Sequence, residues 1–389
     1  MAPRKSKTKE TKAGKISPKD IRSHINKKLG NEVAHSLVDE NPSDVVDWIP
    51  TGALWLDGII ARGMMAGIPV GKISSIAGLE GTGKSYLAAQ IAANAQKKDY
   101  IVVYFDSESA IDSNFLANIG CNIEDIVYHQ AVYAEDVLET IEDLMSSYPE
   151  QRFLFIWDSL SNTPSRKEAE DNFDPQASVA LIPRILSVGF KKLTIPIANH
   201  KCALLVLQQL KTRIPQNPAD QMMVKIDPYI ENGGKAMQYA TSLHIRLTNR
   251  KAKSAYVQNE AGFRIGNEVK AKIHKSRFGT AGRECIFKII WGEDDVRILN
   301  DESLLDAIMS HESIKQNGSW LEIEGFPKFQ PGSFVEKINT IKGFREKVME
   351  IFEEQVIQKF EKKQGNASDF YDLDKEEEMS DNSSLTSEE

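Results

Sequence analysis

KISSIAGLEGTGKS, residues 72–85, decides how the rest of the chain is read. KISSIA (72–77) is a short apolar run of strand length, and GLEGTGKS (78–85) follows it as G-x4-G-K-[ST]. At average residue usage that pattern arises by chance in roughly one chain in a hundred of this size. Its setting sharpens it, because a strand leads in and a helix over 84–97 leads out. Gly81 and Gly83 let the backbone turn its N–H groups inward around phosphates, and the start of the helix adds its positive end. Lys84 is placed to reach β- and γ-phosphates, and Ser85 offers a hydroxyl to Mg²⁺. Gly78, Leu79, Glu80, Gly81, Thr82, Gly83, Lys84, Ser85 and Tyr86 are the candidate nucleotide-binding set.

Outward from this loop, YIVVYF (100–105), RFLFIW (152–157) and CALLVLQQ (202–209) are continuous apolar runs, the pattern of strands covered on both faces. Helical periodicity at 84–97, 134–147 and 178–195 alternates with them, which predicts an α/β fold with a mainly parallel sheet. TSLHIRL, EVKAKI and ECIFKII, after residue 240, read as further strands, antiparallel at one edge. Asp158 directly follows FLFIW and fits the acid that holds Mg²⁺ at a strand end. YFDSES sets two carboxylates at another strand end. Asp106 competes with Glu108 for the role of base toward an attacking water, and Glu108 is favoured because two residues beyond the strand give it more reach. Together these residues predict binding and hydrolysis of ATP.

The 389 residues carry a net charge of −8, with 41% hydrophobic and 27% charged residues, the composition of a soluble globular protein. The charge is uneven, with a basic start (1–16) and an acidic end (367–389), both expected as disordered tails. Cys121, Cys202 and Cys285 lie far apart in no metal-ligand spacing, and no apolar run nears the length of a membrane span, so a cytoplasmic protein without membrane contact is expected. Residues 17–47 are expected as a helix and linker. Ser17 is its N-cap and Pro18 its first helical residue, and Ile21, Ile25, Leu29, Val33 and Leu37 form one stripe suited to a neighbouring subunit or to the protein's own core. Residues 48–300 read as the catalytic core, and 301–366 as a small, mostly helical C-terminal region.

VLQQLKTRIPQNPADQMMVKIDPYIENGGKAM (206–237) begins as a strand and then continues for about 25 residues with little hydrophobic period, longer than loops of compact domains usually run. Lys211, Arg213 and Lys225 are nearly balanced there by Asp220, Asp227 and Glu231, so composition alone does not make it a basic patch.

Several segments over residues 48–295 together resemble the RecA family of recombination ATPases, in particular bacterial RecA and phage UvsX-type recombinases. WIPTGALWLDGIIARGMMAGIPVGKISSIAGLEGTGKS is similar to the family's lead into its P-loop, with the T-G-x-x-x-L-D phrase. YFDSESAIDSNFLANIG resembles the acidic segment, which implies Glu108 as catalytic base and puts Asp112 and Phe115 at the adenine. WDSLSNTPSRKEAED is similar to the Mg²⁺ strand and first DNA loop, with S-x-K-E-x-E-D phrasing nearer the phage branch. In LVLQQLKTRI the match implies that Gln209 senses the γ-phosphate and passes its position to the long segment behind it. That segment then becomes the second DNA-binding loop. The resemblance implies that Lys211 and Arg213 meet DNA phosphates, Ile214 wedges between bases, and Gly233-Gly234 lets phosphate approach the backbone. Arg184 and Lys191 fall at the family's DNA-facing basic positions, in a helix that Pro183 is expected to bend. IHKSRFG (273–279) matches the basic pair that reaches a neighbour's ATP, here Lys275 and Arg277.

The family reading thus implies ATP and Mg²⁺, single-stranded DNA and a homologous duplex. It also implies self-assembly into a helical filament, single-strand-binding and loading proteins as partners, and a host cytoplasm if the chain is phage-encoded. A ring-forming helicase-like motor and an ATP-binding mediator paralogue are the alternatives. Gln208 stands where asparagine is frequent in RecA, and 301–366 does not match the family's duplex-binding module.

Overall fold

The computed structural model describes residues 16–30, 34–36, 44–109, 111–170, 181–215, 217–231, 234–249, 255–292 and 295–358. The basic arm before Ile16, residues 171–180 after the Mg²⁺ strand, Gly233 and the acidic tail at 367–389 lie outside them. The chain divides into two compact units, Met1–Asp44 and Val45–Glu389.

In the first unit, α1 (Pro18–Leu29) starts as the sequence predicts. Ser17 and Asp20 form a reciprocal capping box, Pro18 occupies the first turn, and Lys27 and Lys28 sit in the last turn. The helix is shorter than its stripe. Gly30 adopts φ 72° and sends its N–H back to the Asn26 carbonyl, which terminates the helix there. Val33 and Leu37 fall outside the described residues, while Ile21, Ile25 and Leu29 are exposed.

The second unit opens with β1 (Trp48–Ile49), α2 (Leu54–Ile60) and β2 (Ile68–Pro69). Here the T-G-x-x-x-L-D phrase has a physical explanation. Asp57 is buried and accepts the Thr51 N–H at 3.0 Å and the Thr51 hydroxyl at 2.7 Å, so the phrase closes the turn into α2 on itself. Gly67 lets β2 lie close to β1, since a Cβ there would fall 2.0 Å from the Ile49 carbonyl oxygen.

The core then alternates: β3 (Ile73–Gly78), α3 (Lys84–Gln96), β4 (Ile101–Asp106), α4 (Ser113–Ile119), β5 (Ile126–Gln130), α5 (Ala134–Ser147), β6 (Phe153–Asp158), α6 (Arg166–Glu170), α7 (Leu181–Asn199) and β7 (Ala203–Thr212). It continues with α8 (Pro218–Ile226), β8 (Tyr229–Glu231), α9 (Gly234–Ala240), β9 (Leu243–Asn249), β10 (Tyr256–Gln258), β11 (Arg264–Ser276), β12 (Glu284–Gly292) and β13 (Asp295–Ile298). These strands form one sheet ordered β13-β12-β11-β9-β3-β7-β6-β4-β5, with β10 beside β11 and β8 beside β7.

Strands β9, β3, β7, β6, β4 and β5 are parallel, and β11, β12 and β13 add an antiparallel ribbon at the edge. The expected α/β fold with a mainly parallel sheet is present. One strand departs from the expectation. TSLHIRL was expected at the antiparallel edge, yet β9 lies parallel to β3, because the short helix α9 supplies the crossover that a parallel neighbour needs. Side chains alternate between two buried faces. Val102, Tyr104, Leu154, Ile156, Leu205 and Leu207 face α2 and α3, while Val103, Phe105, Phe155, Trp157, Leu204 and Val206 face α5 and α7.

The chain ends in α10 (Asn300–Ile308), the hairpin β14 (Ile314–Asn317) with β15 (Trp320–Ile323), α11 (Phe334–Thr340) and α12 (Phe344–Phe352). This region, expected as mostly helical, also contains that hairpin. Leu304, Ile308, Phe344, Val348 and Phe352 belong to the same apolar cluster as Leu56 and Ile60 of α2. Asn300 joins the two sequence-distant parts, accepting the Leu54 N–H and donating to the Gly52 carbonyl.

One further expectation changes. The 206–237 stretch is not a long irregular loop: β7 runs on to Thr212, pairs with β8, and encloses a capped helix, α8. The cap was legible, since Asn217 before Pro218 accepts the Asp220 N–H at 2.8 Å. Pro183 lies near the start of the described part of α7, and residues 171–180 ahead of it lie outside the described residues, as does the start of the helix expected from 178. Pro196 is accommodated near the other end, and the helix runs to Asn199.

Candidate nucleotide site and its neighbouring segment

Parallel register brings the C-terminal ends of the central strands to one edge of the sheet, where ligands of open α/β sheets bind. Gly78 of β3 is level with Gln209 of β7, and Asp106 of β4 with Asp158 of β6. The G-x4-G-K-S loop leaves β3 at this edge and enters α3. Gly81 and Gly83 have φ 68° and 82°, the left-handed region that favours glycine. Gly78 is required for a different reason, since a Cβ would meet the Thr82 hydroxyl at 2.4 Å and the Leu247 carbonyl at 3.1 Å. Thr82 is buried and donates to the Leu79 carbonyl, and Asn249 of β9 donates to the Gly81 carbonyl, so the loop's shape is held from two sides.

Lys84 donates to the Leu79 carbonyl at 2.9 Å. Partial burial lowers its pKa, while Asp158, Glu108 and Glu80 pull it back upward. Asp158 is buried, and burial raises its carboxyl above the usual range against hydrogen bonds from Ser85 and Tyr104. A buried carboxylate beside a serine hydroxyl is a hard oxygen donor pair that suits Mg²⁺, and a cation there would offset the cost of burying the charge. The residues therefore fit a magnesium–nucleotide group, with Ser85 and Asp158 at the metal, Lys84 at the phosphates, and loop N–H groups around them.

The two competing carboxylates are separated by their surroundings. Asp106 is buried and braces the turn, accepting the N–H groups of Glu108 and Ile111 and the Tyr128 hydroxyl. Glu108 is exposed at the sheet edge. Its Oε1 accepts from Ser159 Oγ at 2.6 Å, Asn162 Nδ2 at 2.8 Å and Gln209 Nε2 at 3.1 Å. Three neutral donors fix that oxygen, and the carboxylate keeps a second oxygen with which it can take a proton from water. The backbone of Gln209 is itself anchored, its N–H donating to Ser161 Oγ. Gln209 thus contacts Glu108 through its side chain and the turn after β6 through its backbone.

The remaining expected site residues divide into those brought together and those held elsewhere. Phe115 meets Tyr86 edge-on with ring centroids 6.4 Å apart, while Asp112 caps α4 through the Asn114 N–H. Arg184 and Lys191 are exposed on α7. Lys211 is exposed near the end of β7, and Ile214 is exposed just beyond it. Arg213 Nε is buried with no hydrogen-bond partner among the described residues. Gly234 opens α9 with φ 58°. Lys275 and Arg277 cap the C-terminal end of α9. The Lys275 ammonium donates to the carbonyls of Gln238 and Thr241, and Arg277 lies 3.4 Å from the Tyr239 carbonyl oxygen.

Sequence reasoning missed Ser159, Ser161, Asn162 and Tyr104. A tyrosine inside the otherwise apolar YIVVYF run was the available signal, since its buried hydroxyl must find a partner, and that partner is Asp158. The serine and asparagine roles carry no separate signal, because they depend on how the turn after β6 folds toward Glu108.

The family model described as "RecA N-terminal domain" matches residues 19–295. The chain is 28% identical over 302 residues to Protein RecA of Chlamydia abortus, covering 78% of this chain and 81% of that protein. It is 30% identical over 302 residues to Protein RecA of Chlamydia trachomatis serovar L2, covering 78% and 80%. Against Protein RecA of Wolinella succinogenes it is 31% identical over 282 residues, covering 72% and 75%. A P-loop in the setting found here, matched across most of the chain by proteins of one kind, means that this chain belongs to the RecA family of recombinases.

Proposed function

We propose that this protein is an ATP-dependent DNA strand-exchange recombinase that assembles as a helical filament on single-stranded DNA and takes up a homologous duplex. The observation that carries the reading is the convergence of Ser159, Asn162 and Gln209 on Glu108, which couples a hydrolytic carboxylate to the strand leading into the 213–231 segment. Glu108 takes a proton from the attacking water, and Lys84 neutralises charge on the phosphates. Bound Mg²⁺ supplies the remaining charge neutralisation, with Ser85 and Asp158 holding it.

Gln209 reports the state of the γ-phosphate to the end of β7 and the segment behind it, where Lys211, Arg213 and Ile214 meet DNA together with Arg184, Lys191 and Gly233-Gly234. Phe115 and Asp112 hold the adenine. Lys275 and Arg277 complete the ATP site of the next subunit, so hydrolysis requires assembly. The exposed stripe Ile21, Ile25 and Leu29 of α1 is the handle for that assembly. In sequence, the basic residues 1–16 and the acidic residues 367–389 flank the 48–300 core and the 301–366 region. Such a protein works in recombinational repair in the cytoplasm with single-strand-binding and loading proteins, and no described helix is long and apolar enough to cross a membrane. SRKEAED at 165–171 is the one phrase that favours a phage-type branch. The relatives named above are bacterial, and the proposal stays at RecA-type strand exchange.

The test is transfer of a labelled strand from a duplex to a homologous single-stranded circle with ATP and Mg²⁺. Transfer that needs both homology and nucleotide is expected. Unwinding of duplexes irrespective of homology would favour the ring-forming motor, and ATP binding with neither activity would favour the mediator.

A further inference from the structure

Under α9, on the face of the sheet that packs against α5 and α7, lies a cavity of about 180 Å³ lined by Ser75, Glu231, Met237, His244, His274 and Lys275 among others. It is an unusually charged place for the middle of a parallel sheet. Glu231 ends the segment that follows β7, and its side chain is only 6% exposed. Its Oε1 lies 2.9 Å from His244 Nε2 and 2.6 Å from Arg246 Nε. The Arg246 Nη1 reaches both carboxylate oxygens of Asp227, at 3.0 and 2.9 Å, so one guanidinium of β9 grips the segment at two points. On its other side His244 Nδ1 is 2.6 Å from Ser75 Oγ, three residues before Gly78 of the P-loop. The chain of contacts therefore runs from the nucleotide-loop strand, through β9, to the end of the segment.

Two features make this arrangement a poor choice for stability alone. Buried ion pairs are often no more stabilising than apolar residues of the same volume, whereas removing one partner is costly. Next to the network, Gln208 is wholly buried with neither amide atom hydrogen-bonded among the described residues. It lies on the same face as Arg246, with Ala77 between them. An unpartnered buried amide destabilises this arrangement, and a rearranged segment would relieve it. A strong grip set against a local penalty is the makeup of a two-state element.

We propose that Glu231, Arg246 and His244 form a latch that holds the 213–231 segment against the sheet, and that the cost of breaking it sets how strongly ATP hydrolysis depends on DNA. Glu231 and Asp227 are positioning residues, acting through His244 and Arg246. In the latched arrangement Lys275, on the wall of the same cavity, is committed to the carbonyls at the end of α9. Release of Glu231 frees the segment for DNA and loosens the helix end that Lys275 caps. The inference rests on the reading above that this segment engages DNA.

Glu231→Gln tests it, because an amide of the same shape keeps an acceptor but removes the charge. Three quantities are read on the full chain: hydrolysis without DNA, affinity for a labelled oligo-dT by anisotropy, and trypsin cleavage after the exposed Lys225. The DNA-free rate and oligo-dT affinity should rise about five-fold or more, in the range of typical coupling between sites. Cleavage after Lys225 should quicken, while hydrolysis at saturating DNA stays near the parent's. A residue that merely stabilises the fold would lower both rates together. A folded Glu231→Gln protein with unchanged or lowered DNA-free rate, affinity and cleavage overturns the latch. If Glu231→Gln does not fold, Asp227→Asn, at the more open end of the network, carries the same expectation with smaller increases. Lys211→Ala/Arg213→Ala separates the two readings. If that change leaves oligo-dT affinity intact, the segment does not engage DNA and both readings fail together. If it abolishes binding while Glu231→Gln changes nothing, the latch alone fails.

Discussion

Replacing Glu108 by glutamine should separate hydrolysis from everything else the site does. The Oε1 atom accepts three hydrogen bonds, from Ser159, Asn162 and Gln209, and an amide oxygen can accept all three in the same place. The substitution therefore keeps the turn after β6, the Gln209 side chain and the loop around Lys84 where they are. Only the basicity of the free oxygen is lost. A positioned general base contributes about a hundred- to ten-thousand-fold, or roughly 3–5 kcal/mol of barrier. Phosphate release with saturating ATP and single-stranded DNA should fall by that factor, while the affinity for a fluorescent ATP analogue and the midpoint of thermal unfolding hardly change. Asp106→Asn should behave differently. That carboxylate braces the turn through two backbone N–H groups and the Tyr128 hydroxyl, so its loss should lower the unfolding midpoint as well as the rate. If Glu108→Gln keeps more than about a tenth of the parent rate, Glu108 is not the base.

Further consequences concern the interface, the backbone and pH. Mixing Glu108→Gln protein with Lys275→Gln protein, each inactive alone, should restore hydrolysis at roughly a quarter of the interfaces of a randomly mixed assembly. No recovery would mean that Lys275 serves only its own subunit, as the cap of α9. Gly67→Ala drives a Cβ to within 2.0 Å of the Ile49 carbonyl oxygen and should cost about 1–3 kcal/mol in denaturant unfolding; an unchanged midpoint would show that the β1–β2 ladder shifts freely. Burial pushes the Asp57 carboxyl up to about 7 despite its hydrogen bonds from Thr51. The native state thus keeps a proton that the unfolded chain has released, and this contribution is full below the ordinary carboxylate pKa and lost as pH rises toward 7. The stability of Asp57→Asn relative to the parent should therefore improve between about pH 4 and pH 7, and a flat difference would contradict the shift.

Much of the site was legible because its chemistry is local in sequence. The P-loop, the carboxylate at the end of FLFIW and the glutamate three residues past YIVVYF each sit at a strand end, and apolar runs with helical periods between them dictate a parallel sheet. Position in the sheet was less legible. The strand at 243–249 reads like its antiparallel successors, and only the short helix α9 makes it a parallel neighbour of β3. β5, Ile126–Gln130, escaped notice because it is an edge strand with Val127 and Tyr128 exposed, so it lacks the continuous apolar signature. The helix in the 206–237 stretch was masked by weak apolar periodicity, although Asn217-Pro218 announced its start. The Glu231–Arg246–His244 contacts join residues 13 and 15 positions apart across a turn, a helix and the sheet, and nothing in their spacing foretells that they meet.

The central claim is that hydrolysis and DNA engagement belong to an assembled recombinase. It is tested most directly by negative-stain imaging of the protein on single-stranded DNA with a slowly hydrolysed ATP analogue. Continuous helical filaments that form only with nucleotide are the predicted result. Closed rings, or isolated particles under the same conditions, would contradict it.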